Sequence, residues 1–130
     1  MELEKAIELA KKVRQNAKAN RYWVGACLVT KSGTAYTGCN IENDGIQSIC
    51  AERTAFVKAL SEGETDFAYI VIVGGYHDNP ILDDCIPCGY CRQFMNQYVD
   101  SNFKIYTCYG ENETIDSYTI SDLLPHSFHL

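Results

Sequence analysis

The chain contains no run of about 18 apolar residues, the length at which a segment becomes a candidate membrane-spanning helix. Its first residues, MELEKAIELAKKV, mix acidic and basic side chains. They lack both the apolar centre of a secretory signal and the acid-poor character of a transit peptide. Because neither export nor membrane insertion is indicated, we expect a soluble protein that resides in the cytoplasm.

Basic side chains are also in short supply. Lys and Arg total 11 against 17 Asp and Glu, the formal net charge is −6, and six of the basic residues fall within the first 21 positions. A polynucleotide gains affinity from lysines and arginines that release counterions from its phosphates. The acidic balance therefore argues against a nucleic-acid polymer as partner, although a local basic groove is compatible with an acidic total.

Cysteine, in contrast, is abundant, with seven residues in 130. An odd number cannot pair completely within one chain, and without an export signal the thiols should stay reduced. We therefore expect each cysteine to be either a buried small side chain or a metal ligand. The three cysteines in predicted strands, Cys27, Cys39 and Cys108, are expected to be buried apolar residues.

Helical and extended patterns alternate along the chain and predict one domain that spans residues 1–130. Helical patterns cover residues 2–19, 50–63 and 87–99, and a short helical turn within 121–128 has Ser121 as its predicted N-cap. Strand patterns cover residues 24–30, 34–40, 68–75, 103–109 and 113–120. In the first helix, Ile7, Ala10, Val13 and Ala17 recur at helical spacing, with charged residues elsewhere. The order predicts an α/β fold with three layers, in which helices flank a mixed five-stranded sheet.

Two of these helices begin with cysteines. Cys50 opens the helix of ICAERTA, whereas Cys88 and Cys91 lie three residues apart at the start of the helix in IPCGYCRQF. A helix N-terminus has free N–H groups and partial positive charge, so it favours a thiolate over a thiol. If the two helix starts meet, three thiolates converge. Three sulfur ligands and one open position suit zinc, which lowers the pKa of a water in that position to about 7.

The residues that follow Cys50 supply chemistry for such a site. Glu52 can face the metal if Cys50 lies at the helix cap, and an acid beside an activated water is placed to act as a general base. Arg53 can offset the net charge of −1 left by three thiolates on a zinc dication, and it can donate hydrogen bonds to the sulfurs.

Other interpretations of the cysteines remain open at this point. Cys88 and Cys91 alone are compatible with a redox pair, which does not account for Cys50 and Glu52. Cys85 extends the series at the same spacing, and a fourth thiolate from it would close the site and make the zinc purely structural. The chain would then be a binding module without catalytic activity.

The motifs CNIEN, CAERTA, PCGYCRQ and LLPHSF resemble those of the cytidine deaminase family, and YWVGACLV is similar to that family's FPVGAALL strand. The resemblance covers nearly the whole chain and points to the small, three-cysteine class, which forms homotetramers. It implies one zinc per subunit and hydrolysis of a cyclic amidine C–N bond. Cytidine or deoxycytidine would become uridine or deoxyuridine plus ammonia, a reaction of pyrimidine salvage.

The resemblance also implies roles for individual residues. The zinc ligands are Cys50, Cys88 and Cys91, and Glu52 moves protons between the water, the ring nitrogen and the departing amine. The residues implied in substrate binding are Asn40 and Glu42 for the ribose hydroxyls, the Ala51 backbone and Tyr22 for the base, and Phe128 for the pocket of a neighbouring subunit.

One loop departs from the family pattern. Family members usually read NASYGLTIC, whereas NDGIQSIC here is one residue shorter and has no tyrosine. Because this loop helps to build the sugar side of the pocket, ribose or deoxyribose preference stays open. Another small molecule that contains cytosine, such as blasticidin S, is an alternative substrate.

Overall fold

The computed structural model describes residues 1–130, and a five-stranded sheet lies at its centre. The helices are α1 (Leu3–Arg14), α2 (Ala51–Ser61), α3 (Gly89–Tyr98) and α4 (Ile120–Leu123). The strands are β1 (Tyr22–Thr30), β2 (Ala35–Cys39), β3 (Phe67–Tyr76), β4 (Lys104–Tyr109) and β5 (Thr114–Thr119). The sheet order is β2-β1-β3-β4-β5, with β3 and β4 parallel and the other pairs antiparallel. The predicted mixed sheet is therefore confirmed.

Strand alternation divides the core between the two faces of the sheet. On one face, α1 packs on residues that include Cys27, Val71 and Cys108. On the other face, α2 and α3 pack on a larger cluster that includes Leu28, Ile72 and Ile105. This gives the three predicted layers, and it confirms that Cys27, Cys39 and Cys108 are buried.

The strand directions bring two helix starts together. Since β1 is antiparallel to both β2 and β3, these two strands run in the same direction and end at the same edge of the sheet. The loop after β2 leads to α2, and the loop after β3 leads to α3. Both helices lie on the same face, so their N-termini share one corner of the molecule.

The first helix is shorter than the sequence predicts. It ends at Arg14, because the following segment turns back and Lys18 forms a bridge to Ile41. Its buried residues are Ala6, Ile7, Ala10 and Arg14, whereas Val13 is half-buried and Ala17 lies beyond the end of the helix. The Arg14 side chain is buried because its guanidinium donates hydrogen bonds to the carbonyl oxygens of Trp23 and Gly75, at 2.8 and 2.9 Å.

Of two further helix ends, the start of α4 differs from the sequence prediction and the end of α2 agrees with it. Ser121 is not the N-cap of the last helix, since the Thr119 hydroxyl accepts a hydrogen bond from the Asp122 N–H and the Asp122 carboxylate accepts one from the Thr119 N–H. Gly63, by contrast, follows α2 with φ of 90°, as expected for a glycine at a helix end.

None of the four helices combines the length and the apolar character that crossing a bilayer requires.

Glycine allows each helix layer to approach the sheet closely. A Cβ at Gly25 would lie less than 3.0 Å from the backbone of α1, and a Cβ at Gly38 would lie 2.5 Å from the Ala55 nitrogen and 2.7 Å from the Ala51 oxygen. The position of α2, and with it the position of Cys50, therefore depends on the missing side chain at Gly38.

We expect Gly38→Ala to lower the free energy of unfolding by about 1–3 kcal/mol, because the added methyl group must push α2 away from β2. Urea denaturation of the zinc-loaded protein measures this loss. Gly45→Ala is the matched control, since the nearest atom there is the flexible Gln47 side chain and the loop is exposed. Equal stability of Gly38→Ala and the unmodified protein would contradict the prediction.

Candidate metal centre and catalytic site

The two helix starts have the same local design. Cys50 is the N-cap of α2 and Cys88 is the N-cap of α3, both with extended backbone (φ −74°, ψ 155° and φ −66°, ψ 166°). Neither sulfur caps its own helix, so the first N–H groups of each helix still point into the shared corner. The third helical residue is Arg53 in α2 and Cys91 in α3. Arg53 thus lies one turn after Cys50 in α2, and Cys91 lies one turn after Cys88 in α3.

Three sulfurs meet in this corner. The Sγ atoms of Cys50 and Cys88 are 3.9 Å apart, and the Sγ atoms of Cys50, Cys88 and Cys91 all lie within 4.8 Å of one another. Sulfurs at tetrahedral positions around zinc stand about 3.8 Å apart for a Zn–S bond of about 2.3 Å. The donor set and its spacing therefore fit zinc.

Cys85 is not part of the cluster. Its sulfur packs so closely on Gly74 that a Cβ there would be 2.6 Å away. Burial raises the pKa of the Cys85 thiol to about 12, so this residue behaves as a small apolar side chain. The geometry therefore favours three cysteine ligands over the closed four-thiolate site.

One thiol of the cluster, that of Cys50, has a lowered pKa. Hydrogen bonding with Cys91, aided by Arg53 and Cys88, lowers the pKa of Cys50 to about 5 against the opposing effect of burial. The pKa of Cys91 is raised, because it retains the hydrogen-bonded proton and is desolvated. A metal dication that displaces the remaining protons would relieve this competition.

Glu52 is enclosed beside these sulfurs. It is the second residue of α2 and only 4% exposed. Burial raises the pKa of its carboxyl to about 7, and the charge of Cys50 contributes in the same direction. A hydrogen bond from its own backbone N–H, the charge of Arg53 and a hydrogen bond with Cys91 oppose this shift. Since Cys50 lies at the cap and outside helical geometry, an acid two residues later can share its corner. A carboxyl group that changes its charge near neutral pH thus lies beside the candidate metal centre.

Arginines occupy both helix starts, where the helix dipole disfavours a cation. Arg53 Nη2 donates a hydrogen bond to Cys50 Sγ at 3.6 Å. In α3, Arg92 Nε donates to the Pro87 oxygen at 2.7 Å and Nη1 to the Leu123 oxygen at 2.9 Å. Arg92 thereby fixes the turn before Cys88. Sequence reasoning assigned Arg92 no role, although a cation in a first helical turn is itself a signal of a local partner.

The residues expected to contact substrate lie on the loops and strand ends around this corner. Tyr22 begins β1, is half-buried and packs edge-on against Tyr76 with ring centroids 5.1 Å apart. Burial is the main cause that raises the pKa of its hydroxyl. Ala51 is fully buried as the first residue of α2.

Asn40 and Glu42 follow β2. Asn40 Oδ1 accepts a hydrogen bond from the Val24 N–H at 2.9 Å, and its Nδ2 donates to the Tyr22 oxygen at 2.8 Å. One amide N–H and one lone pair remain for a ligand. Glu42 is exposed, and its carboxylate accepts a hydrogen bond from the backbone of Asn20.

Phe128 lies apart from these residues in the C-terminal tail. Its ring is 66% exposed, and its carbonyl oxygen accepts a hydrogen bond from Gln93 of α3 at 3.1 Å. The tail follows the outer side of α3 and forms a shallow depression with Asn96 and Gln97. The ring is therefore available to a neighbouring molecule.

Comparison with known proteins supports this geometry. Residues 1–107 match the family described as the cytidine and deoxycytidylate deaminase zinc-binding region. The cytidine deaminase of Sporosarcina psychrophila is 37% identical over 98% of this chain and 92% of its own length. The probable cytidine deaminase of Dictyostelium discoideum is 39% identical over 98% and 84%.

Solved structures agree as well. The crystal structure of cytidine deaminase from Burkholderia pseudomallei superposes with a TM-score of 0.84 at 35% identity, over 98% of this chain and 100% of that chain. The cytidine deaminase structure from Mycobacterium tuberculosis has a TM-score of 0.77 at 28% identity, over 100% and 99%.

We expect Cys91→Ser to lose zinc and Cys85→Ser to retain one zinc per chain, because only the first removes a sulfur from the cluster. Metal analysis of the purified proteins by mass spectrometry provides the measurement. The two variants form a matched pair, since both remove one sulfur near the same helix. Loss of zinc from Cys85→Ser would instead support a four-thiolate site.

Proposed function

This chain belongs to the family of cytidine and deoxycytidylate deaminases that share a zinc-binding region, and from that premise we propose that it hydrolytically deaminates cytidine and deoxycytidine. The products are uridine or deoxyuridine and ammonia, as in pyrimidine salvage. One observation carries the proposal: the buried Glu52 lies at the same helix start as a cluster of three sulfurs that fits zinc.

Cys50, Cys88 and Cys91 hold one zinc ion in this proposal. When bound, zinc supplies a Lewis acid that lowers the pKa of a water to about 7. The chain would supply three of the four ligands of a tetrahedral site, because no other cysteine joins the three sulfurs. Arg53 compensates the negative charge of the thiolates from the side of Cys50.

Glu52 moves the protons of the reaction. It accepts a proton from the attacking water and delivers it to N3 of the cytosine ring, while the water oxygen bonds to C4. It then transfers the second proton of the water to the amino group, and the C4–N bond breaks to release ammonia. A carboxyl with a pKa of about 7 both accepts and donates protons readily at neutral pH.

The surrounding residues orient the nucleoside. The backbone of Ala51 and the ring of Tyr22 contact the base, and the free amide valences of Asn40 together with the Glu42 carboxylate contact the sugar hydroxyls. The position of Asn40 supports this assignment, because two hydrogen bonds to β1 hold its amide group rigidly.

A second subunit completes the site. Cys88 is exposed at the surface of the single chain. Binding sites for small molecules usually enclose about 70–90% of the ligand surface, which this open corner alone does not do. We expect a neighbouring subunit to cover this corner with its Phe128, in the homotetramer that the family resemblance implies.

Residues 1–130 act as one catalytic domain in the cytoplasm. A single sheet incorporates strands from both halves of the chain, which supports one domain. Three thiolate ligands require reduced cysteines, and a reducing compartment preserves them.

Glu52→Gln tests the proposed chemistry. We expect kcat to fall by about 10²–10⁴-fold, because the amide cannot carry protons, while the zinc content stays at one per chain. Ammonia release from cytidine, deoxycytidine, cytosine and blasticidin S measures activity and defines the substrate.

Glu62→Gln is the matched control, since Glu62 is exposed at the other end of α2 and should leave kcat unchanged. A normal rate in Glu52→Gln would remove Glu52 from the mechanism. Release of ammonia from none of the four substrates would make a structural zinc module the better explanation.

Phe128→Ala is expected to raise KM about three- to tenfold, because an aromatic contact to the nucleoside is lost. Co-expression with Glu52→Gln subunits should lower KM again, since hybrid tetramers combine an intact Glu52 with an intact neighbouring Phe128. The control co-expresses Phe128→Ala with subunits that carry both substitutions. If the first mixture shows no gain over this control, Phe128 does not act between subunits.

A further inference from the structure

The ring of Tyr90 covers the guanidinium group of Arg53. The Arg53 Cζ lies 4.2 Å from the ring centroid, well within the distance of a cation–π contact. Tyr90 is the second residue of α3, between Cys88 and Cys91, and Arg53 is the third residue of α2. The contact therefore joins the two helix starts that carry the cysteine cluster.

Few hydrogen bonds hold the guanidinium in place. Arg53 Nη2 donates to Cys50 Sγ at 3.6 Å. Arg53 Nε is buried and has no hydrogen-bond partner. An arginine with five N–H donors and so few partners would normally turn toward water, and the dipole of α2 also repels a cation in this turn.

The stacked ring opposes that tendency. An aromatic face attracts the delocalised charge of arginine, and it blocks the path of the side chain to solvent. Sulfur contacts on one side and the ring on the other confine the guanidinium to a position next to Cys50.

We propose that Tyr90 is a positioning residue that holds Arg53 against the thiolates of the metal centre and thereby slows the loss of zinc. The inference rests on the zinc site of the proposed function. Zinc and three thiolates carry a net charge of −1, which the fixed guanidinium offsets. If Arg53 turns away, that charge is uncompensated and the sulfurs lose a hydrogen-bond donor, so the zinc complex becomes less stable.

The exposure of Tyr90 separates this role from a structural one. The side chain is 69% exposed, so its truncation opens no cavity in the core. A variant at this position should therefore unfold at the same urea concentration as the unmodified protein, while its metal centre responds.

A double-mutant cycle on the zinc-loaded protein tests the proposal. The proteins are the unmodified chain, Tyr90→Leu, Arg53→Gln and the double variant, each mixed with an excess of a chromogenic zinc chelator at constant pH. We expect Tyr90→Leu to lose zinc about two- to fivefold faster, the factor that a cation–π contact at an exposed site provides. When Arg53→Gln is already present, adding Tyr90→Leu should not change the rate of zinc loss any further.

Tyr90→Phe is the matched control, because it keeps the aromatic face and should lose zinc at the original rate. The proposal is overturned if Tyr90→Leu does not accelerate zinc loss, if Tyr90→Phe behaves like Tyr90→Leu, or if the effect persists without Arg53. The assay contains no nucleoside, so a failure of this inference is distinct from a failure of the deaminase activity. A chain that binds no zinc at all would refute both.

Discussion

Three cysteine sulfurs and one carboxyl group are crowded into a corner formed by two helix N-termini, and most of the molecule serves to make that crowding possible. Each group alone would prefer water or a proton. The free N–H groups and partial positive charge of two helices, together with Arg53, offset part of the repulsion between them. The remaining repulsion favours the binding of a dication, and zinc is a dication that prefers sulfur ligands.

The sheet fixes the two helix starts that carry the cysteines relative to each other. Because β2 and β3 run in the same direction on either side of β1, their following loops arrive at one edge. Gly38 then allows α2 to lie directly on β2, and Arg92 fixes the turn that precedes α3. The spacing of the sulfurs is therefore a property of the whole fold, whereas their reactivity is a property of two short motifs.

Local signals in the sequence were sufficient for the main elements and for two helix starts that carry cysteines, whereas the convergence of these helix starts was implied by the family resemblance. Cys50, Cys88 and Cys91 lie at or near the start of a helix, and the central strand β3 follows from a continuous apolar run. Contacts between distant segments were not predictable in the same way. Arg14 lies on the buried face of α1 because its partners are carbonyl oxygens some ten and sixty residues away, and Tyr90 meets Arg53 only after the two helices have converged. The Thr119 cap was missed because a serine two residues later offered an equally good local pattern.

The extended backbone of Cys50 and Cys88 determines how these two sulfurs are held. The carbonyl oxygens of both residues accept the first hydrogen bond of their helices, from the Thr54 and Arg92 N–H groups at 3.0 and 2.9 Å, while both residues keep extended φ and ψ angles. Cys91, in contrast, lies one turn into α3 and depends on helical geometry. The two kinds of position tolerate different changes: a longer loop before α2 would displace Cys50, whereas a disrupted first turn of α3 would displace Cys91.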